Sequence, residues 1–319
     1  MHAPILVAGE TLVDFLPDRP GALDAVESFE RRPGGAPANV AVGLARLEHP
    51  PLFWTRVGED GFGAYLERTL TDEGIPETFI ETDGDAQTTL AFVTHDDDGD
   101  RAFSFYRDGT ADTRLETGRV DDDTLDSLEW VHVGGVTLSQ GPARDATFDL
   151  LERASQADCT VSFDPNARPE LWTDHDFADS CRRALEHVDV CKATVEELQE
   201  IGFSGEGPEV VARNALESGL ESVFVTMGGD GAMAVADRES PNVVTEPGLD
   251  VDVVDTTGAG DGFVAGVIAG AREGHPLPEL LRFATVVASR ATTRPGAMSA
   301  LPDRDTVAKS LADVGSETA

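Results

Sequence analysis

The alternation of strand-like and helical segments predicts an α/β fold, with a central, mainly parallel sheet and helices on both faces. Short apolar runs typical of buried strands alternate with longer segments of helical periodicity. Two segments, about 12–33 and 88–108, carry strand and turn patterns without a helix between them, and they predict a small separate β-sheet. The 319 residues, 40% of them hydrophobic, suffice for a single domain that spans residues 1–319.

The individual elements follow from the position of each apolar run. Between the predicted strands 90–93 and 102–105, the acidic run 96–100 reads as a turn. The strands predicted for the main sheet are 5–8, 130–133, 161–163, 188–190 and 223–225. The helices predicted around it include residues 38–47, 62–70, 147–154, 195–201 and 263–269.

The charge balance is strongly acidic, because 60 acidic residues oppose 24 basic ones and give a net charge of −36. Such a surface repels nucleic acid and anionic membranes, so neither is expected as a partner. The acidic residues are spread along the whole chain, and only two residues, Lys192 and Lys309, are lysine. In molar salt the screening length falls to about 3 Å, which removes the self-repulsion of such a shell. The composition therefore predicts a halophilic source.

The cysteine content indicates a reducing compartment. The three cysteines, Cys159, Cys181 and Cys191, show no Cys-x-x-Cys spacing, and their number is odd. Together with the absence of a secretory signal and of an apolar run of transmembrane length, this predicts a cytoplasmic protein.

The most informative stretch is residues 255–261, Asp-Thr-Thr-Gly-Ala-Gly-Asp, which precede an apolar helix. Gly258 and Gly260 allow successive N–H groups to point at one spot, and free N–H groups at a helix N-terminus bind phosphate. A bound phosphate would repel the carboxylate of Asp261, unless that carboxylate removes a proton from a hydroxyl that attacks phosphorus. We therefore predict Asp261 as general base, with the N–H groups of Ala259, Gly260 and Asp261 stabilising the phosphoryl charge. An acidic helix cap with a glycine turn is the alternative.

Several other enzyme classes are excluded by missing motifs. The seven histidines form no His-x-x-x-His pair, which argues against a zinc enzyme. The chain has no Gly-x-x-x-x-Gly-Lys-Ser/Thr run and no Gly-x-Ser-x-Gly elbow, and residues 258–260 lack the third glycine of the Gly-x-Gly-x-x-Gly fingerprint. A P-loop enzyme, a dinucleotide-binding enzyme and an α/β-hydrolase are therefore not indicated.

Residues 255–261 resemble the C-terminal signature of the ribokinase-like (PfkB) sugar kinases, and residues 34–41, Gly-Gly-Ala-Pro-Ala-Asn-Val-Ala, resemble a second signature of that family. The resemblance covers nearly the whole chain. Particular similarity to fructokinases is found at residues 56–63, 105–107, 164–168 and 171–172.

The resemblance implies a ribokinase-like fold in which the small sheet is a lid over the sugar and a surface for a homodimer. For Asn39 the alternative is a helix cap. For Arg107 and Arg168 the alternative is a solvated surface arginine or one that pairs with an acidic residue. Asp164 and Asn166 are expected to shape a turn. The implied sugar-binding residues are Asp14, Gly34, Gly35, Asn39, Arg107 and Arg168.

For the nucleotide, the resemblance implies ATP and Mg²⁺ as cofactors, with residues 291–297 on the adenine side. Residues 194–197 resemble the family's Asn-x-x-Glu motif with Thr194 in place of Asn, so Glu197 is expected to hold water around Mg²⁺. A helix-starting acid is the alternative for Glu197. Asp255 and Thr257 offer oxygens to K⁺. The implied ATP-binding residues are Thr226, Gly228, Gly231, Gly258 and Gly260.

The implied activity is that of an ATP-dependent fructokinase, which transfers the γ-phosphate of ATP to a hydroxyl of fructose. One alternative is a 2-keto-3-deoxygluconate kinase. Such kinases offer tyrosine hydroxyls to the acid from the lid, whereas Phe92 and Phe105 stand at the corresponding positions here and favour a neutral sugar. A ketohexokinase that phosphorylates C1 and a sugar- or nucleotide-binding regulator without turnover are also compatible with these motifs.

Overall fold

The computed structural model describes residues 5–19, 21–95 and 101–317. In chain order the strands are β1 Ile5–Ala8, β2 Leu12–Pro17, β3 Phe29–Gly34, β4 Leu52–Gly58, β5 Ile80–Asp83, β6 Leu90–His95, β7 Arg101–Tyr106, β8 Trp130–Gly134, β9 Thr160–Asp164, β10 Val190–Thr194, β11 Ser222–Thr226, β12 Ala232–Ala236 and β13 Asn242–Glu246. The helices are α1 Ala36–Arg46, α2 Gly63–Asp72, α3 Asp122–Leu125, α4 Gly141–Gln156, α5 Phe177–Leu185, α6 Val195–Ile201, α7 Pro208–Leu216, α8 Ala259–Arg272, α9 Leu277–Ala291, α10 Ala297–Ala300 and α11 Arg304–Glu317.

The main sheet has nine strands in the order β13-β12-β11-β10-β9-β8-β1-β4-β5. The seven strands from β11 to β5 pair in parallel, whereas β12 and β13 add to one edge in antiparallel orientation. The predicted fold class, a mainly parallel sheet between helices with a second small sheet, is confirmed.

Two apolar cores hold helices on opposite faces of the main sheet. One core joins side chains of α4, α5, α6 and α7, among them Leu150 and Leu198, to the sheet. The other joins α1, α8, α9 and α11 to the sheet, and Val267 and Val286 are among its buried side chains. Successive side chains of a strand point to opposite faces, so Leu6 enters the first core and Val7 the second. Because helices cover both faces of the sheet, the central strand β1 is apolar at every position.

The small sheet has four strands in the order β3-β2-β6-β7 and lies apart from the main sheet. It leaves the main sheet just after β1, because β2 follows β1 after only three residues, and β3 leads directly into α1. The predicted turn at 96–100 lies outside the described residues.

Two predicted boundaries are wrong. The strand expected at 188–190 begins only at Val190, because Val188 N–H donates to Leu185 O and closes the end of α5. The helix expected from Phe263 begins at Ala259, after Gly258 adopts a left-handed φ of 79° as its N-cap. This earlier start places Asp261 within the first helical turn.

No helix in the described part of the chain is long and apolar enough to cross a membrane. The cysteines Cys159, Cys181 and Cys191 are free thiols, and all three are buried. Burial raises the pKa of each thiol above its usual value, so each remains a neutral apolar filler.

Candidate active site

The first cavity lies at the carboxyl edge of the main sheet, where parallel α/β sheets bind ligands. It has a volume of about 360 Å³, within the range of small-molecule sites. The segments that follow β1, β8, β9 and β10 form its floor, and residues of β2 and β7 cover it. The predicted residues that line it are Asp14, Gly35, Asn39, Arg107, Arg168, Glu197, Thr257, Gly258, Gly260 and Asp261.

Gly34 does not line the first cavity but packs against Asp14, which does. A Cβ atom at Gly34 would lie 2.0 Å from Oδ2 of Asp14, so the missing side chain makes room for that carboxylate. Gly35, next in the chain, does line the cavity. Burial raises the pKa of Asp14 to about 7, with the positive charge of Arg168 opposing the rise and Asp261 adding to it.

We expect Gly34→Ala to displace the Asp14 carboxylate and to lower kcat/KM for the sugar by roughly 10–100-fold. This range corresponds to the loss of one hydrogen bond between the sugar and a charged group, which contributes roughly 1.5–3 kcal/mol. Steady-state kinetics and the affinity for ADP measure the effect, and ADP binding should stay unchanged. Gly61→Ala is the matched control, because a Cβ atom there meets nothing within 4 Å. Equal kinetics for both variants would contradict the role given to Gly34.

Asp261 is buried at the start of α8, and its carboxylate is held by Asn39. The Nδ2 amide of Asn39 donates to Oδ2 of Asp261 over 2.7 Å. Burial raises the pKa of Asp261 to about 6, the hydrogen bond from Asn39 lowers it, and nearby Asp164 raises it further. At neutral pH the group is therefore mostly a carboxylate, with a proton affinity suited to a general base. Asn39, predicted as a sugar contact with a helix cap as the alternative, orients Asp261.

The predicted anion-binding turn is present, but one of its three donors is occupied. Ala259 N–H donates to Thr256 O over 3.2 Å, so it does not point at a ligand as we predicted. Within the described chain, the N–H groups of Gly260 and Asp261 make no hydrogen bond, as expected in the first turn of a helix. The turn thus offers these two N–H groups, together with the positive end of the α8 dipole.

The two predicted arginines reach the first cavity differently. Arg107 is fixed by two partners, because Nε donates to Asp112 over 2.6 Å and Nη1 to Ser139 Oγ over 2.9 Å. Its Nη2 is buried and has no hydrogen-bond partner among the described residues. Arg168 is half-buried, donates to Ala167 O and lies over the ring of Phe103 at 5.9 Å. Only Arg107 is therefore held rigidly before a ligand arrives.

The second cavity, also about 360 Å³, adjoins the first. Thr226, Gly228 and Gly231 line it, as predicted for the nucleotide loop, and Thr292 of the predicted adenine-side loop lines it too. Gly231 is required for packing, since a Cβ atom there would lie 2.1 Å from Glu246 O. The lining shared by both cavities comprises Lys192, Thr194, Thr256 and Gly260.

Lys192 is a functional candidate that the sequence did not single out. It is 9% exposed, and its Nζ lies 3.0 Å from Oδ2 of Asp164. Burial alone lowers the pKa of Lys192, but the carboxylates of Asp164, Glu197 and Asp261 raise it above the usual value, so the ammonium stays charged. One feature of the sequence could have indicated Lys192. The chain has only two lysines, and this one lies in an otherwise mostly apolar strand. Asp164, predicted to shape a turn, does so through Asn166 N–H and also holds Lys192.

The predicted metal-binding side chains are already engaged by the protein. Glu197 closes a capping box with Thr194, and its second oxygen accepts from Ala167 N–H over 2.9 Å. Asp255 accepts from the N–H and hydroxyl of Thr257 through Oδ1 and from Gly296 N–H through Oδ2. Among the described residues, no group of three or more His, Cys, Asp or Glu side chains is placed to hold a metal ion.

One of the two phenylalanines expected over the sugar faces the wrong way. Phe92 stacks on Phe15 and meets Tyr106 on the outer face of the small sheet. The first cavity is covered instead by Phe103 and Phe105, which alternate with the outward residues of β7. The sequence placed Phe92 on the wrong face because the alternating pattern of β6 is apolar on both sides.

A buried carboxylate beside free N–H groups at a helix start, between a polar cavity and a glycine-lined one, is an arrangement suited to phosphoryl transfer. Residues 3–304 match the model of the pfkB family of carbohydrate kinases. The chain belongs to this family and is a phosphotransferase that acts on a sugar hydroxyl.

Individual relatives show the same similarity over their full length. A fructokinase of Klebsiella pneumoniae is 38% identical over 98% of this chain and 100% of its own. Among solved structures, a putative ribokinase II of E. coli in complex with ATP and Mg²⁺ has a TM-score of 0.88 at 27% identity, covering 98% of this chain and 99% of its own. A Vibrio cholerae fructokinase double mutant with fructose, ADP and potassium has a TM-score of 0.81 at 32% identity, covering 96% and 97%. The fold is therefore ribokinase-like, as predicted.

Proposed function

We propose that this protein is an ATP-dependent fructokinase. The observation that carries the proposal is the position of Asp261, which is buried in the first cavity at the point where the second cavity begins. Supporting it, curated relatives that cover nearly the whole chain are named fructokinases.

In the proposed reaction, fructose occupies the first cavity and its hydroxyls contact Asp14, Gly35 and Asn39. Oδ1 of Asn39 has no hydrogen-bond partner in the described part of the chain, and in this proposal it accepts from a sugar hydroxyl. Asp261 removes the proton from the attacking hydroxyl. The N–H groups of Gly260 and Asp261 and the ammonium of Lys192 stabilise the charge on the transferred phosphoryl group. The positions of these groups are set before the substrates bind, which is the main contribution of the protein.

The second cavity fits a nucleotide. Apolar side chains, among them Val253 and Phe263, line one part and suit a base, whereas Gly228 and Gly260 leave open backbone where phosphates need close approach. Mg²⁺ supplies charge neutralisation of the nucleotide phosphates. Glu197 would hold it through water, since its carboxylate lines the first cavity while its direct bonds go to backbone N–H groups. Asp255 and Thr257 are the proposed K⁺ residues, supported by the potassium in the Vibrio structure.

The sugar assignment is tested by comparing fructose with 2-keto-3-deoxygluconate. We expect kcat/KM for fructose to be at least tenfold higher, which needs only about 1.4 kcal/mol of differential transition-state binding. The reason is the cover of Phe103 and Phe105, which offers no hydroxyl donor to a carboxylate. ADP release with Mg-ATP in high KCl measures the rates, and phosphorus NMR of the product gives the phosphorylated carbon.

Each competing activity has its own outcome in that assay. Preference for the keto acid would replace fructose by an acidic sugar, and a product phosphorylated at C1 would identify a ketohexokinase. Sugar-independent binding of ADP without any turnover would identify a regulator.

Salt dependence is the expected consequence of the charge of −36. Like charges on the folded surface repel one another at low ionic strength, so melting temperature and activity should rise with KCl from tens of millimolar to molar concentrations. Comparing KCl with NaCl at equal ionic strength separates screening from a specific K⁺ effect. Full activity and an unchanged melting temperature at low salt would contradict a halophilic source.

Two further sequence-based predictions remain proposals. The first is a cytoplasmic location, which the cysteine content supports. The second is a homodimer through the small sheet. It is supported by the outer face of that sheet, where Phe15, Phe29 and Phe92 pack together and Tyr106 is 57% exposed.

A further inference from the structure

A third cavity, of about 230 Å³, lies between the small sheet and the loop that joins α9 to α10. Asp14, Arg32 and Phe103 line it from the small sheet, and Thr257 and Gly296 line it from the opposite side. It adjoins the first cavity, because Asp14, Phe103 and Thr257 line both. The small sheet and this loop are therefore two walls of a space next to the proposed sugar site.

Arg32 of β3 joins the two walls of the third cavity. Its Nη1 donates to Pro295 O over 2.8 Å, and its Nη2 donates to Oε2 of Glu30 over 3.0 Å. The arginine side chain is 21% exposed, whereas that of Glu30 is 68% exposed. The approach to the loop is close, since a Cβ atom at Gly296 would lie 2.4 Å from Nη1 of Arg32. The bond to the loop is thus the more protected of the two contacts.

Arg32 is the cross-strand neighbour of a predicted sugar contact. Asp14 and Arg32 stand directly opposite each other in the antiparallel pair β2 and β3. Residues opposite each other share a face of the sheet, and both of these line the third cavity. Arg31, one position earlier, belongs to the other face and lies over the ring of Tyr65 at 4.4 Å. A sugar bound at Asp14 therefore restrains Arg32 through the pairing of the two strands.

The loop contacted by Arg32 also supports the anion-binding turn. Gly296 N–H donates to Oδ2 of Asp255 over 2.8 Å, and Oδ1 of Asp255 accepts from the N–H and the hydroxyl of Thr257. Gly258, the N-cap of α8, packs against the same segment, since a Cβ atom there would lie 2.8 Å from Cα of Ala297. The position of this loop therefore determines where the turn and its free N–H groups lie.

We propose that Arg32 is a positioning residue that couples the acceptor site to the phosphate-binding turn. A sugar at Asp14 fixes Arg32, and Arg32 fixes the loop that supports the turn before α8. Both terminal nitrogens of the guanidinium donate to protein oxygens, so Arg32 acts through the loop. Coupling of this kind is reciprocal, so the sugar and the nucleotide each raise the affinity for the other by the same factor. The inference rests on the proposed roles of the cavities but does not require the sugar to be fructose.

Arg32→Met tests the coupling, because methionine keeps an apolar stem but cannot donate to Pro295 O. Isothermal titration calorimetry in high KCl with Mg²⁺ gives the affinity for ADP with and without saturating fructose. We expect fructose to raise ADP affinity at least about fivefold in the wild type, and less than about twofold in Arg32→Met. The affinities for ADP alone and for fructose alone should match the wild type, because Arg32 lines neither of the first two cavities.

Two further variants separate the bond to the loop from a general effect on the sheet. Arg32→Lys keeps a donor for Pro295 O and should keep most of the effect of fructose on ADP affinity. Arg31→Met is the matched control, since it removes an arginine from the same strand but from the other face, and it should behave as the wild type.

Three results would overturn the role of Arg32. They are an ADP affinity that does not respond to the bound sugar in the wild type, an unchanged response in Arg32→Met, and an equal loss of response in Arg31→Met. Failure of fructose to bind the wild type would instead reject the fructose assignment. The sugar that the enzyme phosphorylates then replaces fructose in the same comparison, which still decides the role of Arg32.

Discussion

Asp261→Asn is expected to lower kcat by roughly 10²–10⁴-fold, the usual contribution of a general base. Asparagine has nearly the same shape and can still accept the hydrogen bond from Asn39, but it cannot take the proton of the attacking hydroxyl. Sugar and ADP affinities should therefore be largely kept. Single-turnover kinetics, which separate chemistry from product release, are the appropriate measurement.

Asp305→Asn is the matched control, because Asp305 also lies in the first turn of a helix, α11, and is exposed. It should show wild-type kinetics. Retention of more than about a tenth of wild-type kcat in Asp261→Asn, with chemistry rate-limiting, would exclude Asp261 as the base. In the wild type, kcat/KM should fall as pH drops through about 7 to 6, where Asp14 and then Asp261 become protonated.

Lys192→Met should lower kcat by about 10²–10³-fold, the scale found for removing one group that stabilises transition-state charge. Methionine has a similar length but no charge, and no other lysine side chain lines either cavity. Lys309→Met is the control, at the second lysine of the chain, which is exposed on α11. It should be neutral in both activity and stability.

Removing Lys192 also leaves Asp164 buried without its partner, which is expected to cost about 3–5 kcal/mol of stability. The double variant Lys192→Met, Asp164→Asn removes most of this cost, because the buried carboxylate that pairs directly with Lys192 is neutralised as well. We expect its melting temperature to recover towards the wild type while its activity stays low. Recovery of activity in the double variant would show that Lys192 acts only by structure.

The fold was predictable because its strands are marked by short apolar runs and its helices by longer periodic ones. The antiparallel edge formed by β12 and β13 was not anticipated, since pairing direction depends on connections that local patterns do not encode. Likewise, the sequence placed residues 188–190 in a strand because Val188 and Val190 are apolar, although Val188 belongs to the exit of α5.

The site was predictable where a motif carries its own chemistry, as Asp261 and its glycines do. It was less predictable where function depends on what surrounds a side chain. Lys192 carries no motif of its own, and only the structure shows that it is buried where the two cavities meet. The prediction that Phe92 covers the sugar is wrong for the same reason. Which face of the small sheet covers the first cavity depends on how that sheet lies against the main sheet, and the residues of β6 alone do not determine it.

The small sheet borders only one of the two cavities, and this affects how the substrate preference of the enzyme can change through substitutions. The small sheet contributes residues to the first cavity, through Asp14, Phe103 and Phe105 among others, but none of its described residues lines the second. If the first cavity binds the sugar and the second the nucleotide, as proposed, substitutions in these strands away from Arg32 can alter which acceptor is phosphorylated without changing the nucleotide site. Natural divergence and laboratory engineering alike have in this sheet an exchangeable module, on which new acceptor preferences can arise while the phosphate chemistry is inherited unchanged.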